Sequence, residues 1–360
     1  MKLTKGQGVT DKDAIGMGVA NTTQAWHSSL PDCLFMAIEL EARKEFAIPN
    51  MARLFGEHSY YFDCKQKKGL DVLFGRYEDR QYYALKDNLL SGYVGDKLLA
   101  LYGLKVIALP FSKQETLDQY LAAQLAKSQR VICEFSAKHV PYRIEDYHKH
   151  YGYHIVTFKS YDEASGSFMV DDALKQDVYI SASDYQLSFQ NVLAHEGCVR
   201  VYQLDQVGPA SPLTLDWAIK QVEQNIAGLT SDKAHVGVSA VSECLAYISC
   251  LQTMERPYVV PGLWVFSLQR ASTFDWLMAL QHDFPDPTLK HICSPMTEVL
   301  PHLAKSWKEV EVLMRLSCRS KSVTGDQIYQ RIVQLCEAEQ ALIPIWFELK
   351  EWLHSQRCVS

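Results

Sequence analysis

Residues 154–172 read HIVTFKSYDEASGSFMVDD, and this stretch decides the fold expected for the first half of the chain. Apolar and polar side chains alternate along His154–Ser160, a polar turn follows at Asp162–Gly166, and Ser167–Asp172 is a second short run. Two such runs joined by a short polar loop predict an antiparallel β-hairpin. In a hairpin the first strand starts beside the end of the second, so His154 comes within reach of the two aspartates that end the hairpin.

The sequence upstream of the hairpin predicts further strands and helices. Lys105–Leu109 and Arg130–Phe135 are short runs rich in β-forming residues, and the helical pattern Glu115–Lys127 lies between them. Near the N-terminus, Asp32 can cap a helix that has Cys33 in its first turn. A helix followed by a sheet indicates an α+β fold.

The sequence pattern becomes helical after Gly208-Pro209. Ser294-Pro295 predicts a helix start with a cap and a first-position proline. Two apolar stripes follow at helical spacing, the first at Val299, Leu300, Leu303, Trp307, Val310 and Met314, the second at Ile328, Ile332, Leu335 and Leu342. Pro344 is expected to kink the last helix.

These patterns predict three segments in the chain. Residues 1–25 carry no hydrophobic period and are expected to form a flexible arm. Residues 26–205 are expected to form the catalytic α+β domain, and residues 206–360 an all-α helical accessory domain. A chain of 360 residues is long enough for two domains that each bury a core.

Composition excludes several classes of function. The formal charge is −6, from 36 basic and 42 acidic residues, so no positive field is expected for a nucleic-acid backbone. None of the ten cysteines forms a C-x-x-C pair, which indicates buried thiols in a reducing compartment. The sequence offers neither a signal peptide nor an apolar run long enough to span a bilayer, so we expect a cytoplasmic protein without membrane partners.

Three features of the first half could together carry nucleophilic catalysis. Cys33 lies at a helix N-terminus, where the helix dipole stabilises a thiolate, although an ionised Asp32 would oppose this. His154 could act as the base for that thiol. Either Asp171 or Asp172 could orient the histidine, and strand alternation alone does not decide between them because the two side chains lie on opposite faces.

Several short segments carry a resemblance to a known family. They are His27-Ser-Ser-Leu-Pro-Asp-Cys33, Leu54-Phe-Gly-Glu57, Val131-Ile-Cys-Glu134, Val140-Pro-Tyr142, Gly152-Tyr-His154, Tyr161-Asp-Glu163 and Val170-Asp-Asp172. In this order they resemble the butirosin-biosynthesis BtrH family, whose N-terminal domain is similar to papain-like and C39-type cysteine peptidases. The resemblance covers roughly residues 25–205.

The resemblance implies a reaction and a set of site residues. BtrH-type enzymes take an acyl group from an acyl carrier protein thioester and transfer it to an amine in natural-product biosynthesis, so the phosphopantetheine belongs to a partner protein and no cofactor is bound by the chain itself. By position, the resemblance implies Cys33 as nucleophile, His154 as base and Asp172 as orienting acid, with Asp171 as the alternative. The chain departs from the family pattern at Glu134, where the family usually has Asp, and at Ala173, where it usually has Pro.

The second oxyanion donor and a metal site are further questions. Papain-like enzymes add a side-chain donor shortly before the cysteine, and Gln24 has the usual chemistry whereas His27 has the matching spacing. His148, His150 and His154 could suggest zinc, but the run straddles a loop and a strand, so no metal is expected.

Two other functions remain open at this point. The same triad could serve a thioesterase or a cysteine peptidase with water as acceptor, or the fold could be an idle scaffold in a biosynthetic complex. We expect transfer to an amine, because the sequence offers no secretory signal and no recognisable propeptide, and because a helical second domain could exclude water from the cleft.

Overall fold

The computed structural model describes residues 33–48, 51–54, 56, 58, 62–63, 71–72, 84–142, 153–172, 175–231, 264–317 and 323–357. The arm expected at residues 1–25 lies outside these ranges, as do Asp32 and Ala173. Within them the chain is mixed α and β, with one large antiparallel sheet and several helices. The α+β class predicted from sequence is therefore confirmed.

The first half of the chain contributes four helices and all ten described strands. In chain order these are α1 (Cys33–Glu45), β1 (Phe62–Asp63), β2 (Asp71–Val72), β3 (Ala84–Lys86), β4 (Leu89–Ser91), α2 (Gly92–Tyr102), β5 (Leu104–Phe111), α3 (Gln114–Leu125), β6 (Val131–Ser136), a 3₁₀ turn (Ala137–His139), β7 (Tyr153–Asp162), β8 (Ser167–Asp172), β9 (Val178–Ser181), α4 (Ala182–Glu196) and β10 (Val199–Gln206).

The second half is helical in every range that the structure describes. Its helices are α5 (Leu215–Thr230), α6 (Trp264–Asp283), α7 (Pro287–Ser317), α8 (Gly325–Gln340) and α9 (Ile343–Arg357). The change from strands to helices after Gln206 falls where the sequence pattern predicted it. None of the helices in the described ranges is long and apolar enough to cross a membrane.

The main sheet has eight strands in the order β3-β4-β5-β10-β6-β7-β8-β9, and every neighbouring pair is antiparallel. The predicted hairpin is β7–β8, with Asp162 opposite Ser167 at the turn and Val156 opposite Asp172 at the open end. Gly166 closes the turn with a φ of +64°, a conformation that a glycine adopts without strain.

Each face of the sheet carries its own hydrophobic cluster. Along β7, Ile155 belongs to the cluster that includes α1, α2 and the helices after Gln206. Val156 and Phe158 point the other way, into the cluster formed with α3 and α4. Two covered faces explain why every residue of β6 is buried.

The predicted helix start at Ser294-Pro295 is wrong. Helix α7 begins at Pro287, where Asp286 Oδ1 accepts hydrogen bonds from the backbone N–H of Thr288 at 2.7 Å and of Leu289 at 3.3 Å. The signal of a capping side chain before a proline occurs twice, and the upstream copy starts the helix. Pro295 lies inside α7, so its lost backbone hydrogen bond must be offset by packing.

The kink expected at Pro344 is also wrong, because one helix ends before this proline and a new helix begins there. Helix α8 ends at Gln340, and Pro344 lies in the first turn of α9, where a proline has no intrahelical N–H to lose. Both predicted stripes are confirmed as core-facing. Their buried members are Leu300, Leu303, Trp307, Val310 and Met314 on α7, with Ile328, Ile332, Leu335 and Leu342 around α8.

A buried polar network centred on Glu339 joins His58 to the helices after Gln206. Glu339 accepts hydrogen bonds from Arg270 Nε at 2.8 Å and Trp307 Nε1 at 2.7 Å, and its Oε2 lies 3.1 Å from His58 Nε2. Trp346 Nε1 donates to His58 Nδ1 at 3.0 Å. Burial would raise the pKa of Glu339, but Arg270 and His58 lower it more, so the carboxylate stays ionised inside the core.

Candidate active site

The β7–β8 hairpin brings His154 and Asp172 into direct contact. Because side chains alternate along a strand and Asp172 lies opposite Val156, both side chains share one face of the sheet. His154 Nε2 lies 2.6 Å from Asp172 Oδ2, and the two residues are 3% and 2% exposed. A carboxylate only accepts hydrogen bonds, so we assign the proton to Nε2, which leaves Nδ1 as the basic ring nitrogen.

A tyrosine completes this pair. The hydroxyl of Tyr142 donates to Asp172 Oδ2, the same oxygen that contacts His154. Tyr142 is half-buried and packs against the hydrophobic cluster of α3 and α4. The orienting carboxylate is therefore held from two sides.

Asp171 points to the opposite face of the sheet, into a group of cations. Its carboxylate accepts hydrogen bonds from Arg130, from the ammonium groups of Lys44 and Lys159 at 3.3 Å each, and from the backbone N–H of Asp177 at 2.9 Å. Burial alone would raise the pKa of Asp171, but these partners outweigh it and lower the pKa to about 2. Asp171 therefore forms ion pairs with the cations on its face of the sheet, whereas Asp172 contacts His154.

Helix α1 packs along β7. The C-terminal half of α1 lies near the start of β6 and the end of β10. Glu41 and Glu45 line a groove there with Arg130 and Asp205. Arg130 Nε donates a hydrogen bond to Glu41 at 2.7 Å. Cys33 lies twelve residues before Glu45, which is about 18 Å along a helix axis. The N-terminus of α1 therefore lies toward the other end of the sheet, where β7 begins with Tyr153.

Cys33 differs from the other described thiols in its surroundings. It is half-buried and is the first residue of α1, where the helix dipole favours a thiolate. Burial raises the pKa of Cys133 well above its ordinary value, raises that of Cys293 to about 12, and is also the main cause of the raised pKa of Cys198. The helix start thus favours ionisation at Cys33, whereas burial opposes it at these three.

The helix and the histidine ring lie on different faces of the sheet. Helix α1 covers the face that carries Ile155, whereas His154 points with Val156 toward the face covered by α3 and α4. A contact between the Cys33 thiol and the His154 ring is therefore confined to the end of the sheet, where α1 and β7 both begin.

Glu134, one of the departures from the family pattern, is a buried anchor beside this region. Its carboxylate accepts hydrogen bonds from Tyr202 at 2.9 Å, from Tyr153 at 3.2 Å, and from the backbone and side chain of Arg200 at 2.8 and 3.1 Å. Glu134 lies opposite Ile155 in the sheet, so it points to the α1 face and away from His154. It holds the first residue of β7 in place without contacting the histidine–aspartate pair.

Several residues predicted from sequence lie outside the described ranges. They include both candidates for the second oxyanion donor, His27 and Gln24, and the histidines at 148 and 150. Among the residues that the structure does describe, no three His, Cys, Asp or Glu side chains are grouped so that they could hold a metal ion.

Sequence reasoning missed the role of Tyr142. Tyr142 was named only as part of the segment Val140-Pro-Tyr142, and no hydrophobic period marks its hydroxyl as a partner of Asp172. The only available signal was the neighbouring Pro141, which restricts the chain just before the tyrosine. The separation between the two residues is 30 positions, so only the tertiary fold shows the contact.

Comparison with known proteins gives no family assignment. No protein-family model matches the sequence, and no curated protein matches it significantly. The resemblance to BtrH-type acyltransferases therefore stays a prediction from the segments quoted above, and the functional argument depends on the site itself.

Proposed function

We propose that this chain is a cysteine acyltransferase with a papain-like catalytic half. It would take an acyl group from an acyl carrier protein thioester and transfer it to an amine in natural-product biosynthesis, in the cytoplasm. Cys33 is the nucleophile, His154 the general base and acid, and Asp172 the acid that orients the imidazole. The helices after Gln206 form the accessory part.

One observation carries the proposal. A buried histidine–carboxylate pair, 2.6 Å apart, lies at the end of the sheet toward which the N-terminus of α1 is directed. A buried pair of this kind has to be stabilised by its surroundings, and a cysteine at a helix start is activated when a base is within reach of its thiol. The order Cys, His, Asp along the chain and the spacing of the hairpin also fit the resemblance.

The first half-reaction forms an acyl-enzyme. The Cys33 thiolate attacks the thioester carbonyl carbon, and the tetrahedral oxyanion is stabilised by the backbone N–H of Cys33 and by one further donor. The bond between that carbon and the phosphopantetheine sulfur then breaks. His154 Nδ1–H protonates the departing thiolate, and the acyl group remains on Cys33 as a new thioester.

The second half-reaction releases the product. A neutral amine attacks the acyl carbon while His154 Nδ1 accepts the amine proton, and the Cys33 thiolate leaves. The ionised Asp172 stabilises the imidazolium that is present at the start of the first half-reaction and forms again in the second. An amide is produced, the thiolate is regenerated after proton transfer, and ping-pong kinetics follow.

Hydrolysis would share the whole first half-reaction, so the acceptor decides between a transferase and a thioesterase. What favours an amine is the exclusion of water from the acyl-enzyme. Helix α1 supports such exclusion, since all its residues from Leu34 to Ala42 are buried between the sheet and the remaining helices.

The test begins with the acyl-enzyme. Intact-protein mass spectrometry after incubation with a panel of acyl-loaded carrier proteins should show one acyl adduct per chain, and peptide mapping should place it on Cys33. The Cys33→Ala variant should show none. Cys198→Ala is the matched control, because Cys198 is also half-buried, and it should form the adduct normally.

The second step of the test measures partition. Polyamines, aminoglycosides and amino acids are supplied as acceptors, and amide is measured against free acid. We expect amide to exceed acid with at least one acceptor class. Free acid alone with every amine, at a rate abolished in Cys33→Ala, would show a thioesterase, and an adduct that forms equally in Cys33→Ala would refute the site.

A further inference from the structure

The carboxylate of Asp172 is held at more points than its contact with His154 requires. Tyr142, which follows the 3₁₀ turn Ala137–His139, donates its hydroxyl to the same oxygen, Oδ2. The backbone N–H of Asp172 donates to the carbonyl of Lys175 at 2.7 Å. Both the backbone and the side chain of this aspartate are thus fixed by contacts other than the one with the histidine.

Lys175 lies close to the tyrosine ring. Lys175 Nζ lies 5.2 Å from the centroid of the Tyr142 ring, a distance typical of a cation–π contact. The tyrosine ring therefore contacts both the hydrophobic cluster and this lysine. This packing limits the directions from which its hydroxyl can reach Asp172.

We propose that Tyr142 is a positioning residue that keeps Asp172 aimed at His154, an inference that rests on the function proposed above. Two donors on one carboxylate oxygen favour its ionised form and fix its rotation. A well-oriented carboxylate stabilises the imidazolium form of His154, and an imidazolium stabilises the Cys33 thiolate at lower pH. Tyr142 thereby extends the pH range in which the thiol is reactive.

Apart from Lys175, the other titratable groups that the structure describes on this face have partners elsewhere. His139 of the 3₁₀ turn has Nε2 3.0 Å from the amide of Asn191, and its Nδ1 lies 3.9 Å from Asp184 of α4. The hydroxyl of Tyr185 donates to Asp118 of α3 at 2.7 Å. Cys133 of β6 stays neutral, because burial raises its pKa.

A substitution at Tyr142 leaves all of these groups unchanged. Their contributions to the pH profile are therefore the same in the variant and in the parent chain. Tyr142→Phe removes only the hydroxyl and keeps the packed ring. The rate of alkylation of Cys33 by iodoacetamide is measured in the full chain from pH 5 to 9, with peptide mapping so that only label on Cys33 is counted.

We expect the midpoint of this pH profile to rise by about one unit in Tyr142→Phe, with an alkylation rate at pH 6 about tenfold lower and an unchanged melting temperature. Tyr185→Phe is the matched control, because it removes a hydroxyl from the same hydrophobic cluster, and its profile should equal that of the parent. A lower melting temperature with an unmoved midpoint would overturn the inference and leave a structural role.

A third variant separates the two proposals. His154→Gln should raise the midpoint at least as far as Tyr142→Phe does. If His154→Gln leaves the profile unchanged, the thiol–imidazole pairing itself is wrong and the proposed function fails. If His154→Gln moves the midpoint and Tyr142→Phe does not, only the inference about Tyr142 fails.

Discussion

The two adjacent aspartates at the end of β8 make a matched pair of perturbations, because they lie on opposite faces of the sheet. We predict that substitutions of Asp172 slow acyl-enzyme formation, whereas Asp171→Asn leaves that rate close to the parent value. Both positions are buried, with 2% and 1% of the residue exposed. A difference between them therefore reports on contacts rather than on burial.

The size of the effect at Asp172 depends on which atom replaces the carboxylate. An asparagine can still place an oxygen where His154 and Tyr142 converge, so Asp172→Asn loses only the charge of the hydrogen bond. Charged hydrogen bonds contribute about 1.5–3 kcal/mol and neutral ones about 0.5–1.5, so the difference of about 1.2 kcal/mol between the middles of these ranges predicts a loss of rate of about five- to tenfold. Asp172→Ala removes the whole contact and leaves two buried groups without it, so a loss of about a hundredfold or more is expected.

A substitution at Asp171 is expected to lower the stability of the fold rather than the rate of acylation. Its pKa of about 2 in the folded chain lies below the ordinary value of 3.8, so the unfolded chain binds this proton first as the pH falls. The resulting stabilisation, on the order of 2 kcal/mol, is complete above about pH 4 and is lost as the pH falls toward 2. Asp171→Asn should unfold at lower urea concentration at pH 7, and the gap to the parent should close below pH 4.

The assay for both positions is the rate of the acyl adduct on Cys33, followed by quenched intact mass spectrometry with whichever loaded carrier protein reacts with the parent. Urea unfolding of each variant supplies the stability. An Asp171→Asn protein that is folded but acylates as slowly as Asp172→Ala would refute the assignment of the two faces. So would an Asp172→Ala protein that acylates at the parent rate.

Three further outcomes follow from the packing. Glu339→Gln should lower the free energy of unfolding in urea by about 3–5 kcal/mol, because it leaves the buried charge of Arg270 without its partner. Glu309→Gln, at a half-exposed ion pair, should lower it by about 1 kcal/mol or less. Equal losses in the two variants would contradict this reasoning. Gly103→Ala should destabilise the chain by at least twice the roughly 1 kcal/mol expected for Gly197→Ala, since both have positive φ but only the first would place a Cβ 2.2 Å from a backbone oxygen. A chain ending at residue 206 should show no cooperative unfolding transition by circular dichroism, because it lacks the helices that share its hydrophobic cluster. A sharp transition with native-like spectra would refute this shared core.

Much of the sheet could be predicted from sequence because its signals are local. The β7–β8 hairpin, β5, β6 and α3 were each marked by a run of β-forming or helix-periodic residues of the right length, and the structure confirms all of them. The errors in the helical half have a different origin. A proline can start a helix or lie inside one, and tertiary packing decides between these outcomes at Pro295, so the local signal was ambiguous.

The candidate site divides in the same way. Strand alternation placed Asp171 and Asp172 on opposite faces, but which face carries the histidine's partner depends on the register between β7 and β8, and a register is a tertiary property. The structure pairs Val156 with Asp172, and this register puts Asp172 on the face of His154. The contact of Tyr142 with Asp172 was beyond sequence reasoning, because no local pattern relates two residues that far apart.

The shared hydrophobic cluster changes how the accessory helices should be regarded. Helix α1 is buried along Leu34–Ala42 on all sides, and the two glutamates in this stretch accept hydrogen bonds from the backbone N–H of Met51 and from Arg130. A helix that is buried all round needs two covering layers. The sheet supplies one layer, and α5 to α9 belong to the same cluster on the other side. Residue 206 therefore marks a change of secondary structure within one core. Because α1 and these helices share one hydrophobic cluster, the core that contains the helix of the proposed nucleophile, Cys33, extends beyond residue 206.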